Sequence, residues 1–493
     1  MNIPFVDSFL NRITMYRLVL WHLVVLIAVA FFLSFFGFFS FTPWALLFSF
    51  FVMVAACWAS NEAFAWIFKV TPNTESVYIT SFILTLILNP VSFTDFMGAG
   101  MLVIAGVLAM ASKYILAIDK KHIFNPAALA VAVTGIVFGT YASWWVGGTL
   151  SLLPFVLIGG LLVIRKVQRF DQFWVFSIIV LAGVAIKFLP NNPLDSMWDT
   201  LLHSSLFFFV SIMLTEPLTS PVTRVHRMVY AAIVAFLFIP GTQIGPFYFA
   251  PETALLVGTV YAYIVSPKIR RVLTLKEYKQ IAEGVYEFVF ATNKPIPFKA
   301  GQYVEWTLGH EKPDQRGNRR YFTIGSSPTE EDIRLGIKVY EPSSTFKKAL
   351  LAMKPGQEIT VGQLAGEFTL PKNPQQKVAF IAGGIGVTPF RSMIQYMVDT
   401  NQNRDAILLY STKSENELAY KDVFAEAGAK IGLKTYYDDR ITTEELIREV
   451  PDYKDRLFYL SGPHGMVVAF EKTLRELGVH RRNIKIDFFP GFV

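Results

Sequence analysis

Apolar residues fall in long blocks over the first half of the chain and in short alternating runs over the second. The blocks lie at about 18–41, 44–67, 76–90, 99–118, 127–146, 151–164, 173–189, 201–215, 228–240 and 252–265. A helix needs about 20 apolar residues to cross a bilayer, so several blocks are short. Those at 76–90 and 201–215 read as half-spans or broken helices lining an internal site. Beyond residue 266 the pattern changes. Val285–Phe290 and Tyr303–Thr307 alternate between Gly and Pro turns, which predicts a small antiparallel barrel. From about residue 373, strand-like runs at Lys377–Ala382, Ala406–Tyr410, Leu433–Tyr437 and Leu457–Leu460 are separated by amphipathic stretches at 389–399, 415–429 and 465–477. That alternation predicts a parallel, doubly wound sheet. The expected architecture is a polytopic α-helical membrane domain over 1–266, an antiparallel β-barrel over 267–372 and an α/β doubly wound domain over 373–493.

Charge follows the same division. Residues 1–266 hold 12 Lys and Arg, 10 Asp and Glu and 31 of the 45 Phe, while 33 Lys and Arg and 28 Asp and Glu lie beyond. This distribution excludes a single globular enzyme, a secreted disulfide scaffold and a nucleic-acid binder. Within the apolar half, one set of helix ends carries Arg12, Arg17, Lys69, Lys120, Lys121, Arg165, Lys166, Arg169, Arg224 and Arg227, continuing into Lys268, Arg270 and Arg271. The opposite set carries Lys187 alone. By the positive-inside rule both termini are expected in the cytoplasm, with the protein multi-pass in the inner membrane. Cys57 is the only cysteine. One thiol cannot make a disulfide within the chain or a cysteine-held iron–sulfur cluster, so any electrons must travel on organic cofactors or haem. No metal site is expected.

Ten blocks invite a comparison of two fives. Thr85–Ser92 resembles Ser211–Thr219 around a proline, with Pro90 and Pro217 127 positions apart, and Phe124–Leu129 resembles Phe249–Ala254, with Pro126 and Pro251 125 apart. An odd number of spans per repeat inverts the second half, and such folds place ligands near the midplane at the repeat interface. Asn89, Asn125, Glu216 and Glu252 sit at these proline breaks, where helix capping is the plainer role.

The strings His122-Ile-Phe-Asn-Pro-Ala-Ala-Leu129 and Met213-Leu-Thr-Glu-Pro-Leu-Thr-Ser-Pro221 resemble the membrane flavin subunits of bacterial redox pumps. These are the B subunit of sodium-translocating NADH:quinone oxidoreductase and the D subunit of the Rnf complex. The resemblance spans most of 60–265 and implies a ten-helix, five-plus-five inverted repeat, related in plan to urea channels, that carries electrons on flavin. That family attaches FMN to the Thr of a Ser-Gly-Ala-Thr motif. The corresponding loop here, Gly139–Gly148, lacks it, and Thr140 and Thr149 are poor substitutes. A membrane flavin, FMN or riboflavin, is therefore expected to be noncovalent, with Asn125, Glu216 and Thr219 as its candidate ligands.

In the second half, Arg320-Tyr-Phe-Thr-Ile-Gly-Ser326 and Gly366-Glu-Phe-Thr369 resemble the two FAD motifs of the ferredoxin–NADP reductase family. An Arg can grip a diphosphate with two parallel bonds, and an aromatic ring can stack on a flavin. The resemblance implies FAD contacts from Arg320, Tyr321, Phe322, Thr323, Ile324, Ser326, Gly366, Phe368 and Thr369. Thr323 would donate to the flavin ring, and Phe322 stands where the family has Tyr. The run Val378–Pro389 is a buried strand entering a Gly-rich turn and a helix, which suits a pyrophosphate. Gly384, Gly386, Thr388 and Pro389 match the family's NAD(P)H turn. Leu460-Ser-Gly-Pro-His-Gly-Met466 resembles its Cys-Gly-Pro motif beside the nicotinamide, with Ser461 in place of Cys, followed by Gly462 and Pro463. Phe492 is the candidate C-terminal aromatic shielding the flavin, and Asp487 a candidate for tuning its protonation.

Coenzyme choice stays open in the sequence. Ser411-Thr-Lys413 could meet a 2′-phosphate, while Glu415 or Glu417 would repel it. The redox-pump relatives favour NADH by analogy. The expected activity is a membrane-bound NAD(P)H:acceptor oxidoreductase that passes electrons through FAD to quinone, a bound flavin or an extracytoplasmic acceptor, with cation transport as a further expectation. The rival readings are a transporter-like domain with a regulatory reductase, and a haem-type transmembrane reductase. Only His22 and His203 fall in the blocks, which leaves too few histidines for two haems.

Overall fold

The computed structural model describes residues 4–11, 13–69, 74–118, 121–189, 192–266, 270–311, 313–314 and 317–487. The chain forms two compact units, Met1–Lys268 and Ile269–Val493.

The first unit is helical: α1 (Met15–Ser34), α2 (Pro43–Phe68), α3 (Thr74–Ile87), α4 (Phe96–Ile115), α5 (Pro126–Phe138), α6 (Leu153–Val167), α7 (Phe170–Lys187), α8 (Pro193–His203), α9 (Arg224–Phe238) and α10 (Pro251–Val265). Local chemistry sets several boundaries. Thr42 caps α2, its hydroxyl accepting from the Ala45 N–H at 3.2 Å, and Pro43 occupies the first turn where no N–H is needed. Helix α2 is apolar all round and exposes Phe51, Trp58 and Trp66, as a lipid-facing helix does.

Among the described residues, five helices are long and apolar enough to cross a membrane: α1, α2, α4, α7 and the stretch Leu150–Val167 that ends in α6. The segment Leu206–Leu214 follows α8 at a 59° bend, and the pair would make a sixth. The blocks expected to be short are short. Block 127–146 stops at Phe138 because Gly139 takes a left-handed cap, and block 76–90 stops at Ile87. Block 201–215 is broken, as its length suggested, and its second part is π-helical over Phe209–Leu214.

One packing pattern occurs twice in this unit. In the first five helices α2 packs on α3 and α4, and α4 on α5; in the second five α7 packs on α8 and α9, and α9 on α10. The first members of each five, α1 and α6, touch, and so do the last, α5 and α10. Both α5 and α10 open with proline just after a small hairpin, Ala117–Ile118 with Lys121–His122 and Gln243–Ile244 with Phe247–Tyr248.

The second unit begins with a curled antiparallel sheet of β1 (Arg270–Ala282), β2 (Val285–Thr292), β3 (Tyr303–Thr307), β4 (Arg319–Thr323), β5 (Ile333–Lys338) and β6 (Glu358–Ala365). Their order is β4-β3-β6-β1-β2-β5, so β4 and β5 are its two ends and the barrel has its seam between them. Trp306, Phe288, Phe290 and Ile324 fill the interior, closed by Phe346 from α11 (Thr345–Leu351). A parallel sheet follows: β7 (Val378–Gly383), β8 (Ala406–Ser411), β9 (Lys434–Asp438), β10 (Leu457–Ser461) and β11 (Ile484–Ile486), ordered β9-β8-β7-β10-β11. Helices α12 (Thr388–Asp399), α13 (Lys421–Ile431), α14 (Thr443–Glu449) and α15 (His464–Glu476) connect them. Strand β7 is buried throughout, as a central parallel strand covered on both faces must be. The amphipathic stretch expected at 415–429 divides into a 3₁₀ turn at Glu415–Glu417 and α13.

Candidate functional site

In the second unit the sequence motifs converge at the barrel seam and the carboxyl ends of the parallel strands. Strand alternation sorts the first FAD motif into two faces. Arg320 and Phe322 pair with Trp306 and Val304, so they share the interior-facing side near the seam; Tyr321 and Thr323 pair with Glu305 and Tyr303 on the other. The Arg320 guanidinium lies 5.2 Å above the Phe346 ring and donates to the Gly317 carbonyl at 3.0 Å and to Asp314 at 3.2 Å. The Tyr321 hydroxyl lies 2.9 Å from both Glu305 and the Gln363 amide oxygen, its one proton within reach of either. One flat ring therefore cannot stack on both Phe322 and Tyr321, and Phe322 is the one that shares the arginine's face.

Three of the expected FAD residues have their side chains packed within the protein. The Ile324 side chain is fully buried in the barrel core, so only its backbone can face a cofactor. Ser326 is fully buried too; its hydroxyl accepts from the Arg334 N–H at 3.1 Å and its carbonyl accepts from Ser392 Oγ at 2.6 Å. Phe368 packs into the α/β core against Phe390 and Tyr459. Gly366 does hold a turn that needs glycine, at φ +109°. The Thr369 carbonyl beyond it accepts from the Tyr459 hydroxyl at 2.7 Å and from Lys485 Nζ at 3.0 Å.

The nicotinamide-coenzyme turn is built from close backbone approaches. A Cβ on Gly386 would meet the Gly462 backbone at 2.6 Å, so the turn after β7 and the turn after β10 can touch only with glycine at these positions. Gly384, beside it, faces open space. A loop running into α12, with Pro389 in its first turn, is the arrangement that receives a pyrophosphate. The Thr388 hydroxyl donates to the Ile385 carbonyl at 2.8 Å, closing the turn.

Ser461 ends β10, almost fully buried, and its hydroxyl donates to Asp487 at 3.0 Å. Asp487 is half-buried, and burial pushes its carboxyl up to about 7 against the pull of the Ser461 hydrogen bond. A carboxylic acid whose folded value is raised contributes stability present in acid and lost as pH rises through the folded value. Thermal stability is therefore expected to fall as pH rises through 7, and Asp487→Asn to remove that step from the pH profile of Tm. An unchanged profile in the variant would show that the group plays no part. Phe492 lies outside the described residues.

Sequence reasoning missed the fastening between the two sheets. Arg391, in the first turn of α12, donates to the Gly325 carbonyl at 3.1 Å and to both oxygens of Glu330, one of them at 2.9 Å. Glu330 also accepts from the Ser327 N–H at 2.6 Å and from Arg334 at 2.9 Å, and Arg334 reaches Glu287 at 2.8 Å. Arg391 thus ties α12 to Gly325, two residues beyond β4, and to Glu330. Its only sequence signal was a charge in an otherwise buried helix turn.

In the first unit, Asn125, Glu216 and Thr219 meet although they are 91 residues apart. Asn125 Oδ1 accepts from the Ala128 N–H at 3.0 Å and so caps α5, while its Nδ2 donates to Glu216 Oε2 at 2.9 Å. The Thr219 hydroxyl donates to the same oxygen at 2.8 Å. Helix capping and side-chain contact are therefore both roles of Asn125. Glu252 accepts from the Trp144 indole at 3.0 Å instead, and Asn89 is exposed. Lys113 is held by the Ser76 carbonyl and hydroxyl and by the Thr80 hydroxyl, at 2.9–3.0 Å.

The second unit is an oxidoreductase domain. Residues 380–472 match the oxidoreductase NAD-binding domain family. A flavohemoprotein of Rhodopirellula baltica is 28% identical over 218 residues, 39% of this chain and 53% of its own length. The glycine betaine monooxygenase reductase subunit of Pseudomonas aeruginosa is 28% identical over 216 residues, 39% of this chain and 57% of its own. The chain thus spans about half the length of the curated relatives it matches. Among solved structures, the FAD/NAD-binding domain of a nitric oxide dioxygenase from Vibrio cholerae is similar at 22% identity and TM-score 0.40, over 44% of this chain and 98% of that one. The cofactors of the second unit are FAD and a nicotinamide coenzyme.

Proposed function

We propose that the chain is a membrane-bound flavoenzyme that oxidises NADH in residues 269–493 and delivers electrons into the helical unit, to a quinone, a bound flavin or an extracytoplasmic acceptor. The observation that carries this is the presence, in one chain, of the seam-and-turn coenzyme site and of an apolar bundle with the buried Asn125–Glu216–Thr219 contact. A polar cluster inside an apolar bundle is expensive and usually functional. The doubled packing pattern of α1–α5 and α6–α10 supports a ten-helix inverted repeat, with the short helices as half-spans around that cluster. The basic helix ends favour cytoplasmic termini, and cation transport is part of the same reading.

The residues fit both cofactors. Arg320 and the Gly366 turn offer a cation and backbone groups for a diphosphate, Phe322 an apolar face for the flavin, and Gly384 an open turn for the coenzyme. Bound FAD supplies the exchange between a two-electron donor and one-electron acceptors. The protein's part is to orient the two, keep water out and hold Asp487 against Ser461. Asn125, Glu216 and Thr219 are the ligands proposed for a noncovalent FMN or riboflavin.

Residues 269–493 expressed alone are expected to be soluble and yellow and to reduce ferricyanide with NADH, but not quinone in membranes. Flavins extracted from the full-length protein should include FAD plus a second flavin released by denaturation. A flavin that stays with the denatured chain would overturn the noncovalent assignment. Full-length protein in proteoliposomes that oxidises NADH without passing electrons to quinone or across the bilayer would overturn the membrane pathway.

A further inference from the structure

The order of the parallel sheet reverses at β7, with β8 and β9 on one side and β10 and β11 on the other. Dinucleotides lie across the carboxyl ends of the strands at such a reversal, with one ribose over the end of the strand after the pyrophosphate turn. The Ser461-Gly462-Pro463 string resembles the motif beside the nicotinamide, which in the reading above puts that ring on the β10 side. The adenosine half then falls over the end of β8, at Ser411.

The groups the sequence offered there are already engaged. Ser411 Oγ donates to the Asp439 carbonyl at 2.8 Å and Thr412 Oγ1 to the Ser414 carbonyl at 2.9 Å, so neither hydroxyl is free to donate to a phosphate. Glu417 is paired with Lys338 at 2.6 Å, largely buried, and Glu415 with Lys421 at 2.9 Å. The next strand supplies what remains. Asp438 ends β9 directly beside Ser411 in the parallel register. Asp438 and Asp439 are both exposed, and among the described residues neither forms an ion pair. Backbone N–H groups of Asp439 and Arg440 donate to Asp438 Oδ1, at 2.7 and 3.5 Å, which orients the carboxylate. Lys413 and Arg440 are exposed cations nearby in sequence, each two residues beyond a strand end.

We propose that Asp438 and Asp439 select NADH over NADPH, by accepting from an adenosine 2′-hydroxyl and repelling a 2′-phosphate. The proposal rests on the reductase reading above. A 2′-phosphate is a dianion near neutral pH, and like charges brought together at a binding surface discriminate by tenfold or more.

The test is steady-state ferricyanide reduction by the purified full-length protein with each coenzyme. The kcat/KM for NADH should exceed that for NADPH by at least about tenfold. In the Asp438→Asn, Asp439→Asn double variant, with FAD content checked by its absorbance, that ratio should fall about tenfold. A wild-type preference for NADPH, equal use of the two, or an unchanged ratio in the FAD-loaded variant would overturn the assignment. Oxidation of neither coenzyme would instead overturn the reductase reading, and this one with it.

Discussion

Replacing Arg320 and Thr323 together by alanine is expected to strip FAD from the purified protein and reduce NADH oxidation by at least about 100-fold, the loss that follows from removing a charge-assisted phosphate contact and a ring donor. Arg320 is the only one of the expected FAD residues that brings a charge to the interior-facing side of β4, and it is held there by Asp314, the Gly317 carbonyl and the Phe346 ring. Flavin absorbance after gel filtration and NADH:ferricyanide activity would measure the two losses separately. Phe322→Ala alone should weaken FAD retention more than Tyr321→Ala, since the two rings lie on opposite faces. Full activity in the double variant would remove the site from β4.

The second large effect is expected at Arg391. Its side chain is 7% exposed and that of Glu330 20%, so Arg391→Ala leaves a largely buried carboxylate with Arg334 as its remaining cation. Losing charge-assisted hydrogen bonds of this kind costs about 1.5–3 kcal/mol. For a unit of this size that lowers Tm by about 3–12 °C. Arg391→Ala combined with Glu330→Gln should recover part of the loss, because the less compensated charge is then gone. Hydride transfer should slow in both variants, as the link from α12 to Gly325 is missing from each; rapid-mixing reduction of the flavin by NADH reads this independently of Tm. The pair also sets a pH dependence. Burial pushes the Glu330 carboxyl up, but the Arg391 hydrogen bond and charge outweigh it and hold the group below its ordinary value. Its contribution is therefore complete above about pH 4.3 and lost as pH falls through the lower folded value. A single variant that melts like the wild type at neutral pH would refute this account.

The candidate reductase site could be proposed from sequence because its parts are local strings. Gly384-x-Gly386 and Ser461-Gly-Pro463 state backbone needs that a glycine or proline records directly. Phe368 and Ser326 carried the same string-level signal, yet the structure turns the first into the α/β core and spends the second on a joint between sheets. A motif shows which backbone is required there; which way a side chain points depends on what packs behind it. Glu415 and Glu417 illustrate the point in reverse, being paired with lysines 6 and 79 residues away.

What the sequence determined by itself was the division near residue 266, the apolar character of one unit, the strand–helix alternation of the other and the FAD and nicotinamide-coenzyme chemistry. These are encoded in composition, period and short spacing, which act between neighbours along the chain. The tertiary structure alone decided that Asn125 meets Glu216, that Arg391 fastens α12 to the exit of β4, and that Asp438 stands beside Ser411. Each is a contact between residues tens of positions apart. Such contacts form only when helices and strands with no shared local signal are packed together, and the energy of that packing is distributed over whole buried faces.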